Sequence, residues 1–396
     1  MTLTPCGVKK NYERGKNEMN NLKRVLALVL ALMMAFSMVA CGGKEEVKEE
    51  TKTETETKTE EKTEEKTEEK TEEKVEEEKP MTEAEELEAM KNEPAYAEGF
   101  TYFESGGCTS APFMADHLGY FEKYGIKAEA YRGGDSWKEA IGTNAAQCAV
   151  NHIATSLVPA ANDVNYAIVG GAMIGCQSLW VLADSGYNSL EDLKGKKISA
   201  PNGIGNSSYN IGARFFDADG IDPLTEVEFV VVETSACIPA MESGEIAAVV
   251  SGDMWAWDMW KSGQLKWLRS ITWDEDFTDE PCCVTMLNKD FIKENPLMAK
   301  YITKAVYEAQ AWMGKNVEEA TQIQIDAGLL TGELDKLVEC MESYQWGTVD
   351  NAFTERALQE ITEDYIRLGL LTTMKDADKV MEKIWWPQYD GEIVVE

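Results

Sequence analysis

From residue 100 onward, short apolar runs alternate with amphipathic stretches, the pattern of βαβ units wrapped around a largely parallel sheet. Apolar runs predict strands at 100–104, 126–131, 148–151, 166–170 and 179–183. A small-residue loop over 105–110 feeds a helix at 111–123, with Phe113, Leu118 and Phe121 on its buried face. After Tyr131 a Gly-Gly loop leads into a second helix that ends near Ile141. The alternation then breaks and restarts, with strands at 197–200, 226–232 and 247–250 and helices at 207–218, 237–243 and 254–261. That restart predicts a second α/β lobe, residues 185–281, inserted into a first lobe made of 95–184 plus 282–396. A return strand at 284–287 rejoins the first lobe, and the rest reads as helical, at 296–315, 317–328, 333–344 and 354–369.

Upstream, the pattern changes twice. Met19 opens a basic stretch that includes Lys23 and Arg24, and residues 25–40 then run without a charge. This is the layout of a secretory signal whose true start is Met19, and the apolar run is too short to span a bilayer comfortably. It ends Ser37-Met38-Val39-Ala40-Cys41, which resembles the bacterial lipobox. Residues 1–40 are therefore expected to be removed. Cys41 is expected to carry the lipid that holds the protein on the outer face of the bacterial cell membrane. Residues 41–94 read as a disordered acidic tether. Within them, 44–79 repeat Thr-Glu-Glu-Lys with almost nothing apolar to bury, and the period of four sets like charges at i,i+4. A flexible chain of that length reaches about 40 Å.

The formal net charge is −33. A chain that acidic repels phosphate backbones and anionic headgroups, which disfavours nucleic acid and direct membrane-surface binding. Of nine cysteines, setting aside Cys6 and Cys41 leaves Cys108, Cys148, Cys176, Cys237, Cys282, Cys283 and Cys340. An odd number in an exported protein leaves at least one thiol unpaired within the chain. No CxxC pair and no His/Cys ligand spacing is visible, so neither a structural zinc site nor any cofactor is expected. The seven read as buried small hydrophobes.

In open α/β sheets, ligands bind beyond the carboxyl ends of strands, where loops feed helix N-termini that offer free N–H groups. On the first lobe the candidates are Ser105, Gly107 and Thr109, then Arg132 and Gly134, then Asn151 and His152. On the second lobe they are Gly205, Asn206, Ser207 and Ser208, then Thr234, then Asp253 and Trp255. The loop at 203–208 is the favoured site: its glycines allow close backbone approach and its serines donate hydroxyls where a helix begins. Plain helix capping is the alternative. Arg132 could clamp a carboxylate or sulfonate through its planar fork, or form a surface ion pair. Trp137, Trp180, Trp255 and Trp257 fall near strand ends or helix starts, where a ring could wall a pocket or fill the core; in Trp255-Ala256-Trp257, at most one faces the cleft.

Three phrases resemble a known family. Gly119-Tyr120-Phe121-Glu122-Lys123-Tyr124-Gly125-Ile126 is similar to that family's "GYFEKEGL", and Ser189-Leu190-Glu191-Asp192-Leu193-Lys194-Gly195-Lys196-Lys197-Ile198 to its "SLKDLKGKKV". Ala240-Met241-Glu242-Ser243-Gly244-Glu245-Ile246-Ala247-Ala248 is similar to "ALASGEIDA". In this order they resemble the substrate-binding proteins of ABC importers for nitrate, sulfonates, taurine and thiamine pyrimidines. The resemblance implies an α/β two-lobe, periplasmic-binding-protein-like fold of type II, with a ligand cleft between the lobes and a helical C-terminal part. It further implies a monomer that captures a small polar or anionic organic solute and hands it to an ABC permease with its ATPase. The family's "WEP"-like and "TGDAPP"-like segments are replaced by Asp253-Met254-Trp255 and Asn151-His152-Ile153-Ala154-Thr155-Ser156, on ligand-facing loops, so its substrates do not carry over. The alternatives are a thiamine-pyrimidine-synthase-like enzyme, whose cysteine-rich iron motif the short Cys282-Cys283 pair does not match, and a ligand sensor docking on a signalling receptor.

Overall fold

The computed structural model describes residues 80–134, 136–347 and 350–395. The expected signal segment 1–40, the expected lipid-bearing Cys41 and the Thr-Glu-Glu-Lys repeat lie outside the described residues. Among the described residues, no helix is long and apolar enough to cross a membrane.

In chain order the strands are β1 (Phe100–Phe103), β2 (Ala128–Tyr131), β3 (Cys148–His152), β4 (Tyr166–Ile174), β5 (Gln177–Leu182), β6 (Lys197–Ser199), β7 (Glu228–Val230), β8 (Ala248–Gly252), β9 (Leu265–Ser270), β10 (Cys283–Asn288) and β11 (Gln345–Trp346). One sheet has the order β2-β1-β3-β10-β4-β11 and the other β7-β6-β8-β5-β9. In each, three strands run parallel, β2-β1-β3 and β7-β6-β8. The sheets are nonetheless mixed rather than largely parallel. β10 returns from the second lobe antiparallel to β3 and β4, and β5 leaves the first lobe to run antiparallel to β8 and β9.

This corrects the boundary drawn after residue 184. The strand expected at 179–183 is β5 and belongs to the second sheet, so the first crossing segment is Gly175–Cys176. Both residues have left-handed backbone, φ +99° and φ +118°, which turns the chain out of β4 and into β5. The second crossing runs from the end of β9 to Cys282. The helices Ser207–Ala218 and Pro296–Lys315 have the bounds read from the sequence. The helix expected at 111–123 is interrupted by Gly119 at φ +74°, and the loop expected at 151–156 becomes helical from Ile153.

Strand alternation explains how the first lobe is layered. Along β4, Ala167 and Val169 pack with Ile302, Ala305 and Val306 of the long helix, whereas Tyr166 and Ile168 pack with Leu358, Ile361 and Val380 from the C-terminal helices. β10 divides in the same way, with Cys283 and Leu287 on the first side and Val284 and Met286 on the second. Successive side chains point to opposite faces, and both faces are covered, so every residue of β4 and β10 is buried.

Disorder is expected through residue 94, but the described part of that stretch, from residue 80, is ordered. Residues Glu83–Met90 form a helix started by a capping box, in which the Glu85 N–H donates to Thr82 Oγ1 and the Thr82 N–H donates to Glu85 Oε2. Docking explains why this acidic stretch orders. Met90 is fully buried, and Glu86 accepts from Lys300 at 2.6 Å and from Tyr301 at 2.7 Å. The Glu93 carboxylate accepts the free N–H groups of Leu297 and Met298 at the start of the long helix, where the dipole favours an anion.

Candidate functional site at the crossover between the lobes

The carboxyl ends of β1, β3 and β4 and the start of the antiparallel β10 lie at one end of the first sheet, against both crossing segments. The loop after β1 is held by its own polar groups: Ser105 Oγ donates to the Thr109 carbonyl and Thr109 Oγ1 to the Gly106 carbonyl, each at 3.0 Å. Gly107, at φ +65°, donates its N–H to Gln324 Oε1 at 2.7 Å. This fixes the turn that presents Cys108. At the end of β3 the His152 N–H donates to Asn151 Oδ1 at 2.8 Å, and Ser156 Oγ donates to the His152 carbonyl as the next helix begins. The Cys176 N–H donates to Thr272 Oγ1 at 2.8 Å. Strand register sets Cys283 opposite both His152 and Met173.

These four segments bring four sulfurs and one imidazole together. Cys176 Sγ lies 2.9 Å from Cys282 Sγ and 3.6 Å from His152 Nε2. Cys282 Sγ is 3.1 Å from His152 Nδ1 and 3.6 Å from Cys283 Sγ, which is 4.0 Å from Cys108 Sγ. The cysteines are free thiols. Burial works against a charged imidazole, yet the Cys283 and Cys108 sulfurs beside it outweigh that and raise His152 to about 9. Burial lifts the Cys176 thiol well above its ordinary value. Against the same burial, hydrogen bonds from Cys176 and Cys283 lower Cys282.

A second tier of polar groups comes from the other lobe. Asp253 is fully buried and accepts from Ser178 Oγ at 2.6 Å and from Thr272 Oγ1, while its N–H donates to the Cys176 carbonyl at 2.9 Å. Burial lifts its carboxyl to about 7, although the two hydroxyls pull it down. Gln177 Nε2 lies 3.4 Å from the hydroxyls of both Ser207 and Ser208, and Asn210 Nδ2 donates across the lobes to the Ala154 carbonyl at 2.7 Å. Gln177 Oε1 and Asn210 Oδ1 are buried without a hydrogen-bond partner among the described residues.

The residues expected at the site divide into two groups. Gly107, Asn151, His152, Ser207, Ser208 and Asp253 meet at the crossover, with Ser105 and Thr109 shaping the loop that carries Cys108. Six others do not reach it. Arg132 is spent on a two-pronged pair with Glu104 of its own lobe, at 2.7 Å for each bond, and its side chain is 72% exposed. The surface ion pair therefore replaces the anion clamp. Arg132→Ala should leave both solute binding and the denaturation midpoint unchanged, as a thermal-shift assay would show. Gly134 and Gly205 are exposed. Thr234 lies beyond β7, the edge strand. Trp255 packs against its own lobe's core, and its neighbour Trp257 instead reaches the C-terminal part, donating Nε1–H to Glu339 at 3.1 Å. Asn206 precedes the helix at Ser207 but turns its amide to the Asn202 carbonyl rather than capping. The sequence reading missed the cysteines. The one local signal was Cys282-Cys283 beside the return strand.

Solved structures share this architecture. The periplasmic aliphatic sulphonate binding protein SsuA from Escherichia coli is 14% identical, with TM-score 0.59 over 76% of this chain and 96% of its own. The periplasmic nitrate-binding protein NrtA from Synechocystis PCC 6803 is 16% identical, with TM-score 0.57 over 72% and 84%. The desulfurization enzyme DSZB is 15% identical, with TM-score 0.50 over 71% and 95%. At such identities the likeness establishes the fold, a two-lobe type II periplasmic-binding-protein architecture, and one scaffold serves binders and an enzyme alike. No curated protein matches the chain significantly. A family model described as "NMT1/THI5 like" matches residues 109–320, more than half of the 396, and the chain belongs to that family.

Proposed function

We propose that this is an extracytoplasmic solute-binding lipoprotein, held to the membrane through Cys41, that closes its lobes on a small polar or anionic organic solute. It presents that solute, as a monomer and without turnover, to the permease and ATPase of an ABC importer. One observation carries the reading. Strand ends of the first lobe and the helix starts at Ser207 and Asp253 of the second converge on the two crossing segments, so a molecule held there touches both lobes. A ligand shifts an open–closed equilibrium only by its differential affinity for the two states, and contacts from both lobes supply that difference. The solute-binding neighbours SsuA and NrtA support the same reading. Gln177 Oε1 and Asn210 Oδ1, two buried acceptors at the lobe junction, favour a solute that brings N–H donors as well as any acid group.

A thermal-shift screen of the mature chain tests this, with sulfonates including taurine, nitrate-like anions and aminopyrimidine precursors of thiamine as probes. A ligand at a hundred times its Kd stabilises by about 2.7 kcal/mol. One class should raise the melting temperature, and Asn210→Ala should reduce that rise. No shift from any class, together with pyrimidine-forming turnover, would replace the proposal with an enzymatic one.

A further inference from the structure

We propose that Cys108, His152, Cys176 and Cys283 form a binding site for one thiophilic metal ion of the zinc class, held by three thiolates and one imidazole nitrogen. Their donor atoms all lie within 4.8 Å of one another. A tetrahedral ion with bonds of about 2.3 Å to sulfur and about 2.0 Å to nitrogen sets its donors roughly 3.5–3.8 Å apart. The protein therefore needs only to draw the cluster in by about 1 Å, within reach of side-chain rotation. Each donor sits on independently fixed backbone: Cys108 on the turn tied to Gln324, His152 and Cys283 paired across β3 and β10, Cys176 tied to Thr272.

The chemistry of the set points the same way. Burying several thiols together gains no hydrogen-bonding advantage over apolar side chains, and burying thiolates costs free energy unless a cation neutralises them. A zinc-class ion deprotonates its thiols on binding and releases those protons. Cys282, whose sulfur is 2.9 Å from Cys176 and 3.1 Å from His152 Nδ1, is left as the neighbouring thiol. The left-handed φ of +118° at Cys176 is uncommon for a residue with a side chain, and here it aims that side chain into the cluster. Donors at first-lobe strand ends, on the first crossing segment (Cys176) and at the residue where the second crossing enters β10 (Cys283) mean that the ion would sit against the hinge itself. The inference stands on the cluster alone and does not depend on which solute is carried.

The test is cobalt(II) titration of the reduced, purified mature protein, followed by zinc(II) competition. The expected result is one cobalt per chain with an intense thiolate-to-cobalt charge-transfer band and the strong visible absorption of tetrahedral cobalt, both lost when zinc is added. Cys176→Ser, Cys283→Ser and His152→Ala should each weaken binding by about tenfold or more. Cys237→Ser, whose sulfur lies near Ser199 in the other lobe, should not. Since a cluster variant could misfold, the wild-type spectrum decides independently. Cobalt bound without a charge-transfer band would assign it to surface carboxylates and overturn the site. So would folded variants that bind as tightly as the wild type, or a reduced protein that binds none.

Discussion

Arg214→Met should destabilise the protein by about 3–5 kcal/mol, the usual cost of removing one partner from a buried ion pair. Arg214 projects from the second-lobe helix Ser207–Ala218. Its Nη1 and Nη2 donate to Glu280 at 2.5 and 2.9 Å, and its Nε donates to Asp364 at 2.9 Å on the first-lobe helix Asn351–Arg367. Both Arg214 and Glu280 side chains are only 12% exposed. Without the guanidinium, the Glu280 carboxylate is stranded in a low-dielectric site. Burial already holds its carboxyl above the ordinary value even with Arg214 present, and the loss of Arg214 raises it further. The native state of the variant then binds a proton that the unfolded chain lacks, so its stability rises as pH falls toward Glu280 protonation. The deficit against wild type should therefore be larger at pH 8 than at pH 5, as read from urea denaturation at each. Arg214→Met with Glu280→Met should recover most of the loss. A single variant as stable as wild type would show that the pair contributes nothing. The same change removes a tie between the lobes, which Asp217–Arg367 only partly replaces, so the unliganded protein should show a larger radius of gyration in solution scattering.

Trp180→Ala should cost a similar 3–5 kcal/mol, by a different mechanism. Trp180 lies on β5 and is the one tryptophan among the described residues that is fully buried. Its ring meets Trp273 edge-on at 6.1 Å and Trp260 at 6.3 Å, and its Nε1–H donates to the Ser251 carbonyl at 3.3 Å. Truncation leaves an apolar cavity and removes the indole's hydrogen bond to the Ser251 carbonyl. Denaturant unfolding should show the lost stability, and near-UV circular dichroism the loosened indole cluster. Trp267→Ala, at the half-buried edge of the same cluster, should cost less. Equal losses at the two positions would contradict the packing described.

Much of the strand and helix order is legible in the sequence because period-two and helical periodicities are local. β4 and β10 read as continuous apolar runs, and Ser207–Ala218 and Pro296–Lys315 begin and end as the residue pattern indicates. β9 escapes that reading. Leu265–Ser270 is an edge strand, half-buried over most of its length, and only its pairing with β5 defines it. The same holds for the two residues of β11.

The site follows the same division. His152, Ser207, Ser208 and Asp253 could be picked out because each sits where a strand hands over to a helix, a feature of a few consecutive residues. Arg132 occupies an equivalent position, but an acidic neighbour 28 residues away takes its charge. The thiol cluster has no local signature. Cys176 stands 24 residues from His152 and 106 from Cys282, so no ligand spacing could reveal it. It exists because β10 inserts between β3 and β4 and so carries Cys282 and Cys283 to the end of β3 and the turn after β4.

Hydrophobic alternation, caps and a biased N-terminal segment are properties of neighbouring residues, and they alone determined that this chain builds two α/β lobes behind an acidic leader. Which strand belonged to which sheet, which charges were spent on ion pairs and which cysteines met were decided only in three dimensions. Those outcomes depend on contacts between segments tens to hundreds of residues apart, which sequence periodicity does not encode.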